Sequence, residues 1–320
     1  MTTHIIEVAR VTPAAGSDSV PHSLKIPLTF FDLPWLLFSP VKRVFFFRHT
    51  ESTREHFHSF ILPKLKLSLS LVLRNYHPLA GRITWDPNEP KPSIVVSPND
   101  AVLVTIAETK ADFFLLSGYG QRPLSELYNL LPELPVSDDS ATVLSLQITL
   151  FPNNGFSIGV VTHHAVLDGK TSSTFIKAWA HVCKQHLENN GTSSLPEILS
   201  PSYDRSLINR VTGVDEEMIA MLRSLKGDAT NSSRSLTPFP AKKLGDDVFG
   251  TVAGSTRLKV YESDFGWGRP VKVDIVSIDQ GEAIAMAERR EQSGGVEIGL
   301  CLKKTEMDIV LSIFNNGLQN

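Results

Sequence analysis

The chain has few of the features that would set it apart from ordinary globular proteins. It contains two cysteines among 320 residues and carries a formal net charge of only -3. Two cysteines do not make a disulfide framework, and so small a charge does not favour nucleic acid as a partner. Cys183 and Cys301 each lie in an apolar periodic segment, which indicates buried thiols rather than a bridge or a zinc site.

Membrane and secretory signals are also missing from the sequence pattern. The most apolar stretch, from Leu28 to Phe38, is interrupted by Asp32 and Pro34 and is far shorter than the ~20 residues of a membrane span. The opening residues MTTHIIEVARVTP contain no basic segment followed by an apolar run of roughly 7–15 residues, so no secretory signal is predicted. We therefore expect a cytoplasmic protein that does not associate with membranes, and we expect a monomer.

Segments rich in β-branched residues alternate with helical patterns along the chain. A hydrophobic content of 42% is ample for the core of one large domain or of two ordinary ones. Strands are predicted over residues 5–9, 41–47, 93–97, 102–107, 144–150, 156–162, 271–278, 283–288 and 296–302, and long helices from 52 to 72, over 170–187 and after 305. The mixture predicts an α/β (α+β) protein.

Three local signals within this pattern are sharper than the rest. Pro63 falls inside the first helical pattern and predicts a kink or a break. The turn residues PNNG at 152–155 predict a hairpin whose first strand alternates apolar and polar side chains. The last helix is expected to pack inward through an apolar face made of Met307, Val310, Leu311 and Phe314.

The second strand of the hairpin leads into residues 163–169, which read HHAVLDG. A histidine at the end of a strand has a fixed backbone, while its imidazole faces the space above the sheet edge. Neutral imidazole can accept a proton from an alcohol at neutral pH, so His164 is a candidate general base. Asp168 can cap the next helix or pair with a cation and so fix the loop, and Gly169 would allow a tight backbone.

Two other interpretations of these residues remain open. A single histidine near a strand end is most often a hydrogen-bonded structural side chain. A histidine and a carboxylate four residues apart can also bind zinc on a helix, although no third ligand cluster stands out. Tandem histidines followed by Asp168 and Gly169 at a strand-to-helix junction favour a catalytic site over both.

The same segment resembles the HHxxxDG motif of the plant BAHD acyltransferases and, more widely, of the chloramphenicol-acetyltransferase-like enzymes that use coenzyme A. Other family landmarks follow in the family's order, namely PLTFFD at 27–32 with Trp35, PLAGR at 78–82, VSDD at 136–139 and DFGWG at 264–268. The resemblance is strongest to the malonyltransferases that acylate sugars on flavonoid and other phenolic glucosides.

The resemblance implies a chloramphenicol-acetyltransferase-like fold, with two similar domains, mixed sheets flanked by helices and a tunnel where both substrates meet. It also implies direct transfer without an acyl-enzyme. His164 would take the proton of a sugar hydroxyl, and the oxygen would attack the thioester of malonyl-CoA. The expected partners are acyl-CoA as co-substrate and a small phenolic glucoside as acceptor, with no bound cofactor and no metal.

Further residues take their expected roles from the resemblance. Asp168 is expected to be structural, with His163 and Gly169 supporting the motif, because in the family this aspartate pairs with an arginine. The loop Asp264, Phe265, Gly266, Trp267 and Gly268 is usually structural and remote from the histidine, although a second proton-handling role has been proposed for such an aspartate. Judged from the residues alone, an aspartate in an aromatic-glycine loop is more often a turn former. Lys170 could attract the malonyl carboxylate or a phosphate of CoA, or could simply be solvated.

The chain departs from the family pattern after Gly250. It passes directly from what resembles the end of a crossover to what resembles the last quarter of the fold, so roughly a hundred or more expected residues are missing. We divide it into an N-terminal acyltransferase-like domain at 1–188, a crossover at 189–250 and a remnant of the second domain at 251–320. The missing part holds the arginine partner of the motif aspartate. A second domain this short is expected to leave hydrophobic faces uncovered and sheet edges open.

Three hypotheses for function follow. The first is an acyl-CoA-dependent O-acyltransferase. The second is an inactive shortened pseudoenzyme or a ligand-binding module that keeps part of the tunnel. The third, a metal hydrolase, rests only on the spacing of His164 and Asp168. Acceptor identity depends on tunnel side chains that no motif specifies.

Overall fold

The computed structural model describes residues 3–15, 23–86, 88–189, 195–206, 208, 213–225, 236, 252–280, 284–291 and 294–317. The strands are β1 His4–Val11, β2 Leu24–Pro27, β3 Val41–Arg48, β4 Arg82–Thr84, β5 Ser93–Val96, β6 Val102–Glu108, β7 Ser140–Thr142, β8 Leu144–Phe151, β9 Gly155–Thr162, β10 Val252–Gly254, β11 Lys272–Ile275, β12 Ile284–Glu288 and β13 Val296–Gly299. The helices are α1 Arg54–His56, α2 Leu62–Val72, α3 Phe113–Leu116, α4 Leu124–Tyr128, α5 Gly169–Asn189, α6 Val214–Leu225 and α7 Lys304–Gly317.

Three sheets organise these elements. The largest has six strands in the order β1-β6-β8-β9-β3-β11, in which β6 and β8 are parallel and the other neighbours antiparallel. A four-stranded sheet has the order β2-β5-β4-β7 and a three-stranded sheet the order β10-β12-β13. The mixed α/β class predicted from the sequence is confirmed.

Both faces of the large sheet are covered, and the side chains of β3 show how. Phe45 and Phe47 join the main core, whereas Val44 and Phe46 join a second core with Phe113 of α3. The predicted hairpin of β8 and β9 is confirmed, and the polar residues of β8 are buried as well. Gln147, for example, donates a hydrogen bond to the Asn129 carbonyl oxygen, so the polar face lies under the chain near α4.

The helix from Arg54 to Val72 is irregular in front of Pro63, as predicted. The Thr53 hydroxyl accepts a hydrogen bond from the His56 backbone N–H and caps its start. A π-helical segment, Phe57–Ile61, then separates α1 from α2. A proline has no N–H to donate and crowds the preceding turn, and the wider turn of a π-helix accommodates it.

The chain after the crossover is attached to the large sheet through β11. Its four residues pair antiparallel with β3. Lys272 of β11 is buried and forms an ion pair with Glu297 of β13, and the Asp274 carboxylate accepts a hydrogen bond of 2.8 Å from Arg122. Burial lowers the pKa of Lys272 to about 8. The Lys272–Glu297 ion pair therefore connects the three-stranded sheet to the larger one. The division at 1–188, 189–250 and 251–320 stays a prediction, and most of the crossover lies outside the described residues.

The last elements leave apolar side chains in solvent. No residue of α7 is buried, so the inward-packing face predicted for this helix is wrong. Several apolar residues of α7 and β13 are exposed, in agreement with the predicted uncovered hydrophobic faces: Val296, Ile298, Ile309, Leu311, Ile313 and Phe314. Among the residues that the structure describes, no helix is both long enough and apolar enough to cross a membrane.

Candidate active site

The motif HHAVLDG connects the end of β9 to the start of α5. The His163 backbone N–H donates a hydrogen bond of 2.9 Å to the Val143 carbonyl oxygen, which fixes the chain where the strand ends. The His163 side chain points into the protein, where its Nδ1 accepts a hydrogen bond of 3.3 Å from the Ala165 N–H. Burial, followed by the charge of His164, lowers the pKa of His163 to about 4. His163 is therefore neutral, and it does not face the cavity.

His164 lines a cavity of about 820 Å³. Its imidazole stacks on the Trp35 indole, with ring centroids 4.3 Å apart and planes inclined by 12°, and the Phe38 ring meets it edge-on at 6.4 Å. Burial lowers the pKa of His164, although the nearby Asp168 carboxylate acts in the opposite direction. The imidazole is therefore neutral at physiological pH, which is the form that accepts a proton.

Asp168 caps helix α5. Its Oδ1 accepts a hydrogen bond of 2.6 Å from the Thr171 N–H, and its carbonyl oxygen accepts one of 3.0 Å from the Ser172 N–H. Within the described ranges no cation lies within ion-pair distance of Asp168, but the buried guanidinium of Arg43 is close enough to interact electrostatically. Gly169 has no positive φ, and a Cβ there would make only ordinary contacts at 3.5 Å or more, so the tight backbone expected at this position is not observed.

Several residues that the sequence gave no role share the cavity with His164. The walls include two aromatic side chains before β3, two tyrosines and an arginine: Phe31, Trp35, Tyr76, Tyr203 and Arg205. Lys170 also lines it, from the first turn of α5. Burial raises the pKa of Tyr76 to about 12, and its hydroxyl donates to the Leu199 carbonyl oxygen. Tyr76 therefore keeps its proton at physiological pH.

Asp264 is not among the residues that line the cavity. One carboxylate oxygen accepts hydrogen bonds from the N–H groups of Gly266 and Gly268, at 2.8 and 3.0 Å, and the other accepts one of 2.8 Å from the Lys184 ammonium. Burial would raise the pKa of Asp264, but these bonds outweigh it and hold the pKa below its usual value. This is the geometry of a turn former attached to the C-terminal half of α5.

The rest of the DFGWG loop packs on the core. Phe265 is 0% exposed and meets the Trp179 ring edge-on, with centroids 4.9 Å apart. Trp267 packs against Phe156 at 6.0 Å. Gly266 has φ of 102°, and a Cβ on it would lie 2.5 Å from the Leu187 side chain. The loop therefore clamps α5 to the sheet, and none of its residues lines the cavity.

Replacing Asp264 by asparagine tests its role directly. We expect the free energy of unfolding to fall by about 1–3 kcal/mol, because the charge-assisted bonds from Lys184 and the two N–H groups are weakened. The kcat of the folded variant should stay within about twofold of the parent. Urea unfolding and steady-state kinetics on the same preparation separate these effects, and a loss of kcat by a hundredfold with stability intact would instead assign Asp264 to proton transfer.

A family model described as the Transferase family matches residues 1–237 and 228–315. Together these segments cover nearly the whole chain. The chain belongs to this family, the BAHD acyltransferases.

The similar proteins include malonyltransferases. Phenolic glucoside malonyltransferase 2 of Arabidopsis thaliana is 52% identical over 457 residues, covering 100% of both chains. Malonyl-CoA:anthocyanidin 5-O-glucoside-6''-O-malonyltransferase of the same organism is 34% identical, covering 99% of this chain and 98% of that protein. The crystal structure of vinorine synthase superposes with a TM-score of 0.64 at 19% identity, covering 96% of each chain. The predicted chloramphenicol-acetyltransferase-like fold is confirmed.

The alignments also show that this chain is shorter in its interior. They extend from end to end of both proteins over 457 and 459 residues, whereas this chain has 320. More than a hundred aligned positions therefore have no counterpart here. The family model matches in two segments that overlap at residues 228–237 instead of in one continuous segment. This agrees with the predicted loss of part of the second domain.

Proposed function

We propose that this chain transfers the malonyl group of malonyl-CoA to a sugar hydroxyl of a phenolic or flavonoid glucoside. The observation that carries the proposal is the neutral His164 imidazole in an open cavity, in a chain 52% identical to a phenolic glucoside malonyltransferase. Aromatic walls at Phe31 and Trp35 suit a planar phenolic ring.

The reaction needs one base and no cofactor other than the co-substrate. His164 takes the hydroxyl proton while the oxygen attacks the thioester carbonyl of malonyl-CoA. The tetrahedral intermediate then collapses, the carbon–sulfur bond breaks, and the imidazolium returns the proton to the departing CoA thiolate. The stack on Trp35 and the Asp168 cap hold the imidazole and its loop in place, so little orientational freedom is lost when the acceptor binds.

The direct test is incubation of the purified protein with malonyl-CoA and a phenolic glucoside. Release of free CoA thiol with equal formation of malonylated glucoside is the expected result. Hydrolysis of malonyl-CoA without acylated product would contradict acyl transfer to a sugar.

Lys170 is the proposed contact for the donor. It lines the cavity at the start of α5, where its ammonium can pair with the malonyl carboxylate. We expect Lys170→Ala to reduce kcat/KM for malonyl-CoA by about tenfold, the loss of one charge-assisted contact, and to change kcat/KM for acetyl-CoA much less. Parallel assays with the two donors check this. Equal losses would mean that Lys170 contacts the CoA moiety or is simply solvated.

We also propose that the protein acts as a cytoplasmic monomer. Support for a reducing compartment comes from the two cysteines, which are not joined in a disulfide: Cys183 is buried and Cys301 half-buried. Sedimentation of the purified protein and imaging of a tagged chain test the two parts separately.

A second candidate is a binding module without turnover. The observation that favours it is the exposed apolar surface of β13 and α7 together with the missing interior positions, since part of the expected cavity wall is then absent. Calorimetry would detect binding of malonyl-CoA or of the glucoside without product. Turnover that depends on His164 would exclude this candidate.

A further inference from the structure

Arg43 carries a buried charge beside the catalytic motif. It lies on β3, and its side chain is enclosed between the large sheet and the first turn of α5, with only 4% of the residue exposed. Its Nη1 donates to the Ser173 hydroxyl at 3.1 Å and lies 3.5 Å from the Ser172 hydroxyl. Its Nη2 is 3.7 Å from the place where a Cβ on Gly169 would stand.

The hydrogen bonds of Arg43 do not compensate for its burial. A guanidinium has five N–H donors, and within the described residues the buried Nε makes no hydrogen bond. Two serine hydroxyls are weak compensation for a charge removed from water. Burial lowers the pKa of Arg43 to about 10, and Asp168 is the carboxylate that opposes this. The guanidinium stays protonated at neutral pH, so its charge acts on whatever lies nearby.

Asp168 and Arg43 act on His164 in opposite directions. The carboxylate favours the imidazolium form of His164, and the guanidinium disfavours it. Asp168 is held by the Thr171 N–H and Arg43 by the serines of the same helical turn, so both charges are fixed relative to the histidine. An aspartate alone at this position would stabilise the protonated imidazole, so at a given pH a larger fraction of His164 would already carry the proton and could not accept another.

We propose that Arg43 is a positioning residue whose buried charge offsets the Asp168 carboxylate at His164 and so keeps the imidazole in its proton-accepting form. The proposal rests on the proposed function, because it assigns Arg43 a purpose only if His164 is the base. It also gives Asp168 a counter-charge from β3, within the N-terminal part of the chain.

The other groups around His164 are either uncharged or left unchanged when Arg43 and Asp168 are replaced. Trp35 and Phe38, which precede β3, contribute rings without charge. The remaining titratable and charged side chains on the same loop or in the same cavity are His163, Lys170, Tyr76, Tyr203 and the ion pair of Asp32 with Arg205. None of them is changed by the variants below, so they form a constant background.

The test compares four variants, Arg43→Gln, Arg43→Lys, Asp168→Asn and the double variant Arg43→Gln with Asp168→Asn. Two readouts are used: the pH profile of kcat/KM for malonyl-CoA, and NMR titration of the His164 ring, assigned by its absence in His164→Ala. For Arg43→Gln the ratio of kcat/KM at pH 6 to that at pH 8 should fall by roughly three- to tenfold, because His164 then titrates at higher pH.

The other variants give matched expectations. Arg43→Lys keeps the charge and should keep the parental titration. Asp168→Asn should move the His164 titration to lower pH, and the double variant should bring it back towards the parent. A role in packing alone would lower activity equally at every pH and leave the titration unchanged, and that result would overturn the proposal.

Two safeguards keep the outcomes distinct. If Arg43→Gln fails to fold, as shown by its thermal unfolding, Asp168→Asn still decides: an unmoved His164 titration there overturns the charge offset. If the parent protein shows no transfer at all, the proposed function fails, while the NMR titrations of the same variants still test the electrostatic claim by themselves.

Discussion

Replacing His164 by alanine is expected to lower kcat by a factor of about 10²–10⁴, the usual contribution of a general base. The neutral imidazole facing the cavity is the group that would take the sugar hydroxyl proton, and alanine cannot replace it. The effect should appear in kcat and in kcat/KM alike, because the interaction exists only in the transition state. Release of CoA thiol measured at saturating malonyl-CoA checks this.

The matched control is His58→Ala. His58 is exposed on the π-helical segment before Pro63 and does not line the cavity, so its removal should change kcat by less than about twofold. Circular dichroism and the thermal midpoint of both variants show whether they remain folded. Full activity in a folded His164→Ala would eliminate the general-base mechanism.

Replacing Phe265 by alanine is expected to lower the free energy of unfolding by about 3–5 kcal/mol, the range for removing a buried aromatic ring. The ring is 0% exposed and is held edge-on between Trp179 and Phe47. Its loss would open a cavity where the DFGWG loop clamps α5 to the sheet. A loss this large can exceed half of the stability of an ordinary domain, so the variant is expected to be partly unfolded near 37 °C. Urea unfolding followed by tryptophan fluorescence gives the number.

The matched control for this substitution is Phe314→Ala. Phe314 lies on α7 and is 61% exposed, so the same substitution there should change stability by no more than about 0.5 kcal/mol. A loss at Phe314 as large as that expected at Phe265 would show that α7 is covered in solution. A loss at Phe265 as small as that expected at Phe314 would show that the DFGWG loop does not clamp α5 to the sheet.

Local patterns account for the parts of the fold that the sequence predicts well. The PNNG turn and the alternation along β8 specify a hairpin, because neighbouring residues alone determine both. The break at Pro63 is also local, since one missing N–H is enough. The predicted period of α7 is right for a helix, but the predicted inner face is wrong, because burial depends on what packs against a helix and a local period does not specify that.

Most of the residues that surround His164 could not be predicted from local patterns. The motif predicts where His164 lies in the chain, and the structure places it at the end of β9 beside a cavity. The stack on Trp35 and the charge of Arg43 join residues more than a hundred positions apart, and no spacing rule connects them. Burial decides the protonation of His163 and His164, and burial is a property of the folded chain.

The pairing of β11 with β3 has a consequence for the order in which the nascent chain can fold. Until Lys272–Ile275 leaves the ribosome, β3 has β9 on one side and an open row of N–H and C=O groups on the other. At roughly 5–20 residues per second, more than ten seconds pass between the synthesis of β3 and that of β11. An open strand edge is a site at which another polypeptide can pair during that interval, and we expect chaperone binding during translation to raise the yield of folded protein.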